Sequence, residues 1–182
     1  MNKNIPYKVT TEDGKEKVIY DGRYTCICGI VVAVEKNTSY ILANRRGPGC
    51  PDHVGEWNMP CGYMDAGSAE ENVSREIYEE TGVKISPDKF SMVGLSNTGK
   101  ERNVTLRYGA ILQEGRLKTL TPEQLKDLGG EANEVSEIKW IDIRFIDKYK
   151  WAFGHDKVIH EFLADLVAYQ RLVIDPLNKP KN

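Results

Sequence analysis

The sequence predicts an α/β fold in which helices sandwich a mixed β-sheet, with a β-hairpin added at the N-terminus. Three stretches carry this prediction. Residues 24–34 (YTCICGIVVAV) are almost continuously apolar and rich in β-branched side chains, the pattern of a central strand buried on both faces. Residues 68–81 read as a capped helix, with strand-like runs before and after it. Residues 156–173 repeat apolar side chains at helical spacing. A length of 182 residues suits one domain, 1–182, with a sizeable core.

Taken in order, residues 7–20 (YKVTTEDGKEKVIY) read as a hairpin, because Asp13-Gly14 is a strong turn pair between two β-prone arms. This hairpin is also a candidate homodimer contact. The 24–34 strand pairs with 39–45 (SYILANR), and the turn between them is expected at Asn37-Thr38. Residues 47–57 (GPGCPDHVGEW) form a loop rich in Gly and Pro. Trp57-Asn58-Met59-Pro60 then form a short strand. Ser68 is a good N-cap, Glu71 three residues on completes a capping box, and Gly82 is placed to end the helix in a left-handed turn. Strands follow at 89–97 and 103–113. Thr121 caps a short helix with Pro122 in its first position, Gln124 closing a second capping box and Gly129 ending it. Residues 131–143 (EANEVSEIKWIDI) lead into another strand. In the last helix Val158, Ile159, Phe162, Leu163, Leu166 and Val173 mark one stripe, while Lys157, His160, Glu161 and Asp165 face away, with Asp156 as the cap. The tail 176–182, with Pro176 and Pro180, is expected to fray.

Composition excludes several classes. The formal net charge of −2 gives no polyanion-binding excess, so no nucleic-acid partner is expected. No apolar run reaches the roughly 18 residues of a membrane span. The start, MNKNIPYKV, lacks the apolar segment of a signal peptide, which points to the cytoplasm. Cys26 and Cys28 share one face of a strand, and with Cys50 and Cys61 they read as reduced core cysteines rather than a zinc set.

The chemistry lies in REIYEETGV, residues 75–83. On a helix, Glu76, Glu79 and Glu80 fall within roughly 100° of one another. Like charges at this spacing cost a few tenths of a kcal/mol each in water. A solvated acidic face would tolerate that. A hard divalent cation with oxygen ligands would reverse it.

The wider pattern, Gly62 followed by Arg75, Glu76, Ile77, Glu79, Glu80, Gly82 and Val83, resembles the signature of the Nudix hydrolases, the MutT-like family. The helical half alone should arise by chance in on the order of one chain in a hundred thousand. The WNMP lead-in and, within 131–143, an acidic residue leading into a strand that ends in Trp extend the match. The sequence departs from the family in two places. Ser68 stands where a Glu is usual, and the spacer from there to Arg75 is one residue short. Both departures fall upstream of the three glutamates, whose mutual spacing is unchanged.

The resemblance implies the Nudix α/β/α sandwich over about 22–172. It implies Mg2+ or Mn2+ held by Glu76, Glu79, Glu80 and the Cys61 backbone carbonyl. Arg75 is expected to hold the glutamates in position, and Glu134 to complete the metal site or act as base, with Glu131 and Glu137 competing for that role. Candidate substrate-binding residues are Arg45 and Arg46, which suit phosphates, and the aromatics Trp57 and Tyr108. The implied activity is hydrolysis of a phosphoanhydride in a nucleoside diphosphate linked to another moiety. Two other readings stay open: a non-catalytic nucleotide-sensing module, and an isoprenoid diphosphate isomerase, for which Cys50 and Cys61 are the cysteines to consider. Selection of base or sugar is expected in the loops 47–57, 97–103 and 113–133.

Overall fold

The computed structural model describes residues 6–20, 24–96, 103–112, 118–121, 123–124 and 133–169. β1 (Pro6–Thr10) and β2 (Glu16–Tyr20) form the expected hairpin as a separate two-stranded sheet, and Gly14 takes a φ of 78° in its turn. The main sheet comprises β3 (Tyr24–Glu35), β4 (Thr38–Arg46), β5 (Trp57–Asn58), β6 (Cys61–Tyr63), β7 (Ser91–Ser96), β8 (Asn103–Leu112) and β9 (Val135–Asp142). Its order is β5-β4-β3-β8-β7, with β6 added on β3 and β9 on β4. The pairing of β3 with β8 is parallel and the others are antiparallel, so the sheet is mixed.

β3 is central because its side chains are apolar on both faces. Cys28, Ile30 and Val32 belong to one core cluster with Ile41, Met59, Ile159 and Phe162. Ile27, Val31 and Ala33 belong to the other with Leu42, Val73, Ile77 and Tyr108. α1 (Ala69–Thr81) covers the second face and α2 (His155–Tyr169) the first. Gly29 lets α1 lie flat on the sheet, since a methyl group there would come within 2.6 Å of Ile77 Cδ1.

Two expectations shift. The β3–β4 turn is Lys36-Asn37, with φ of 47° and 65°, not Asn37-Thr38. A two-residue hairpin of this hand needs positive φ at both central positions, which β-branched Thr38 resists and a strand start does not require. α2 begins at His155, so Asp156 lies inside its first turn rather than capping it. Thr121 and Gln124 do exchange the capping hydrogen bonds, at 2.9 and 3.3 Å, but Pro122 and Gly129 lie outside the described residues, as do Val173 and the tail.

One feature of the sheet positions the site. Along the same edge, β3 pairs with β6 at Cys26–Cys28 and with β4 at Val32–Glu35. Between these two segments the sheet splits, and β4 and β6 diverge. Among the described residues no helix is long and apolar enough to cross a membrane.

Candidate active site

α1 is anchored at both ends as its residue types predict. The Ser68 hydroxyl accepts the Glu71 N–H at 3.2 Å, and the Glu71 carboxylate accepts the Ser68 N–H at 2.7 Å. Gly82 ends the helix at φ 72°, donating its N–H to the Tyr78 carbonyl. Asn72, which the sequence reading passed over, is 2% exposed and organises the loop before the helix. Its Oδ1 accepts the Asp65 N–H at 2.9 Å, and its Nδ2 donates to the carbonyls of Ser68 and Ala66. The signal was present: an amide on the apolar side of an amphipathic helix, beside Val73, needs partners.

Arg75 joins this loop to the acids. Its guanidinium donates to Asp65 at 2.9 Å, Asn72 at 3.1 Å and Glu76 at 3.0 Å. The Glu76 side chain is 14% exposed, and burial lifts its pKa from an ordinary 4.5 to about 7, with Arg75 opposing and Glu79 adding to the rise. Gly62 makes room for it. A methyl group at Gly62 would lie 2.5 Å from Glu76 Cδ. Glu79, one face round, is exposed. The three glutamates therefore share a helix but not one environment.

Glu80 reaches into the split in the sheet. Its Oε2 accepts the Asn44 side-chain amide from β4 at 3.1 Å and the Cys61 N–H from β6 at 3.3 Å. Burial pushes its carboxyl well above the usual range, and its charged neighbours Glu76 and Glu134 push the same way. Gly29 donates its N–H to the Pro60 carbonyl, and Met64 donates to that of Thr25. In an antiparallel ladder this alternation turns the N–H and C=O of Cys61 away from β3.

Glu134 lies at the turn before β9. Its carbonyl accepts the Gly47 N–H at 2.6 Å and the Cys50 thiol at 3.3 Å. The Cys50 thiol is raised by burial and feels the positive charge of Arg46 and the negative charges of Glu134 and Glu80. The loop that follows Arg46 thus lies against Glu134, with Glu80 near enough to act on the same thiol. Glu137 is instead engaged with Lys139 and, at 3.9 Å, with Arg45. Glu131 lies outside the described residues.

Arg45 donates to the Gly55 carbonyl at 2.8 Å, and Arg46 to Asp52 at 2.8 Å, so both help hold the 47–56 loop. Trp57 and Tyr108 are placed differently from the expectation. They are 7% and 6% exposed and belong to the two core clusters, which leaves neither ring a free face for a base. All four cysteines are free.

Among the described residues no three His, Cys, Asp or Glu side chains are drawn into a preformed ligand set. The donor chemistry nonetheless fits a hard cation. Glu76 and Glu80 are acids held partly out of water, and the Asn44 Oδ1 beside Glu80 is buried without a donor among the described groups. A hydrated divalent cation would supply charge to the carboxylates and water to the amide oxygen.

Several solved structures share this fold. The NUDIX domain of Shewanella oneidensis NrtR, complexed with ADP ribose, aligns with a TM-score of 0.62 at 19% identity, over 81% of this chain and 90% of that one. A MutT/nudix family protein from Enterococcus faecalis aligns at 0.66 and 21% identity, over 88% and 70%. A bifunctional NMN adenylyltransferase/ADP ribose pyrophosphatase from Francisella tularensis, complexed with AMP and a manganese ion, aligns at 0.63 and 14% identity, over 79% and 42%. At these identities the likeness is one of fold. The NUDIX domain pattern itself matches residues 27–162 of the 182. With the signature helix inside that match, along with most of β3 and the first half of α2, the chain belongs to the NUDIX domain family.

Proposed function

We propose that this enzyme uses magnesium or manganese to hydrolyse a phosphoanhydride in a nucleoside diphosphate linked to a second group. The observation that carries this reading is the Glu80 carboxyl in the split of the sheet. It has Glu76 and Glu134 as charged neighbours and takes hydrogen bonds from Asn44 and the Cys61 N–H. Such acids are destabilised where they stand unless positive charge joins them. Glu76, Glu79 and Glu80, with the Cys61 carbonyl, would hold the cation. When bound, the cation would offset the charge of the diphosphate, polarise a phosphoryl oxygen and lower the pKa of a water.

The protein's own groups have separable roles. Arg75 positions Glu76 by fixing it to Asp65 and Asn72. Glu134 takes a proton from the attacking water or completes the ligand set. Arg45 and Arg46, at the loop beside Glu134, face the phosphates. The chemistry of the site supports this substrate class, as do the ligands of two proteins of the same fold, ADP ribose and AMP. The ligand is a small molecule rather than a nucleic acid, and the reduced cysteines suit a cytoplasmic enzyme.

A sensing role without turnover draws its motive from Ser68 replacing an acid. Ser68 is engaged as the cap of α1, so that replacement has a structural cause. A screen of nucleotide sugars, dinucleoside polyphosphates and nucleoside triphosphates, with and without magnesium, tests the proposal by phosphate released after phosphatase coupling. Metal-dependent turnover of a diphosphate-linked nucleoside is expected. Binding without turnover of any of them would favour the sensor.

A further inference from the structure

Trp57 and Tyr108 are buried, so neither ring offers a surface for the flat, apolar base of a nucleotide. An exposed aromatic ring stands elsewhere. Phe153, just before α2, is 49% exposed. Its backbone is left-handed, with φ 55° and ψ 14°. A phenylalanine rarely adopts that conformation, and strain of this kind persists only where the surroundings impose it. The ring is also held from several sides. The Arg46 guanidinium lies over it at 5.0 Å from its centroid. His53, also left-handed at φ 51°, packs against it at 4.6 Å, and His155 at 5.6 Å. His53 is itself fixed to Glu56 at 2.8 Å. The protein therefore holds an aromatic ring rigidly while leaving half of it in water.

Arg46 links the ring to the acids. Arg46 is followed by Gly47, whose N–H is bound to the Glu134 carbonyl, and Cys50 on the same loop lies within the influence of Arg46, Glu134 and Glu80. A phosphate near Arg46 would leave an attached nucleoside within reach of Phe153.

We infer that Phe153 is the stacking platform for the base of the substrate, with Arg46 and His53 holding the ring in place, and that it sets the preference for nucleotides over base-free sugar phosphates. This deepens the reading proposed above and rests on it for the substrate class. A fixed ring with one face backed by a cation suits any purine or pyrimidine, because stacking reads the π-face rather than the edges.

Calorimetry on the full chain in magnesium, with AMP and with ribose 5-phosphate as probes, tests it. The parent should bind AMP at least about tenfold more tightly, the scale of one base–aromatic stack. Phe153→Asn removes the ring but accepts the left-handed backbone. It should bring the two affinities within about twofold while its melting temperature stays no lower than the parent's. Phe153→Tyr should keep the preference. A parent without the preference, a preference that survives in Phe153→Asn, or one lost equally in Phe153→Tyr overturns the inference. Turnover is scored separately. A parent that hydrolyses but whose base preference ignores Phe153 sinks this inference alone. A parent without turnover whose AMP preference still depends on Phe153 sinks the hydrolase reading alone.

Discussion

Glu76 shows what burial does to a single carboxyl and how that links to stability. Its pKa is raised from 4.5 to about 7, burial being the largest cause. A carboxyl raised in the folded state stabilises the fold below its unfolded value, and that contribution is lost as pH climbs through the folded value. The window is therefore pH 4.5 to about 7. Across it the metal-free protein should lose up to about 3 kcal/mol through this group, and Glu76→Gln should be less pH-sensitive by about that amount. Urea midpoints of the two proteins at either end of the window check this. Glu80 acts in the same direction. Ser68 offers a contrasting test, since it works as a cap. Ser68→Ala should cost about 1 kcal/mol and leave the magnesium-induced rise in melting temperature unchanged, whereas Ser68→Asp should keep the stability. At this scale the sequence was informative where local rules suffice. Ser68, Glu71 and Gly82 could be read because a cap depends on residues three or four positions apart. The burial of Trp57 and Tyr108 could not, since an aromatic in a strand carries no mark of which face is covered.

The pairing of α1 with β6 is an element-level fact with its own consequence. Gly62 has an ordinary backbone, so its glycine is explained by the Glu76 carboxyl lying against it. Gly62→Ala should displace that carboxyl, the end of a flexible side chain, at a stability cost of under about 1 kcal/mol. The melting-temperature rise on adding magnesium should nevertheless shrink markedly. Thermal melts with and without magnesium measure both, and an undiminished rise would place Glu76 outside the metal site. The signature helix and the last helix were legible because the hydrophobic period changes from two to 3.6 where a strand gives way to a helix, whereas the three-residue β6 was too short to show a period. The β3–β4 turn and the start of α2 moved by a residue because backbone sign, not composition, decides such boundaries. Of the short helix read at 121–129, the described residues bear on the capping pair, Thr121 and Gln124, which forms as read.

At the scale of the whole molecule, the split of β3 between β4 and β6 gives the signature helix access to the sheet. Glu80 could be named from REIYEETGV, but its partners Asn44 and Cys61, 36 and 19 positions away, meet it only through the topology. Phe153 and His53 likewise come together across a hundred residues and left no local pattern. The central claim is that the Glu80 carboxylate serves the transition state by holding the cation that steadies charge on the attacked phosphoryl group. Interactions that strengthen only in the transition state appear in kcat rather than in binding. The decisive measurement is kcat and KM of the parent and Glu80→Gln side by side, in magnesium, on a nucleoside diphosphate sugar that the parent turns over. The account predicts a loss of roughly a thousandfold in kcat, about 4 kcal/mol, with KM changed far less. Metal-dependent turnover that Glu80→Gln leaves intact would contradict it.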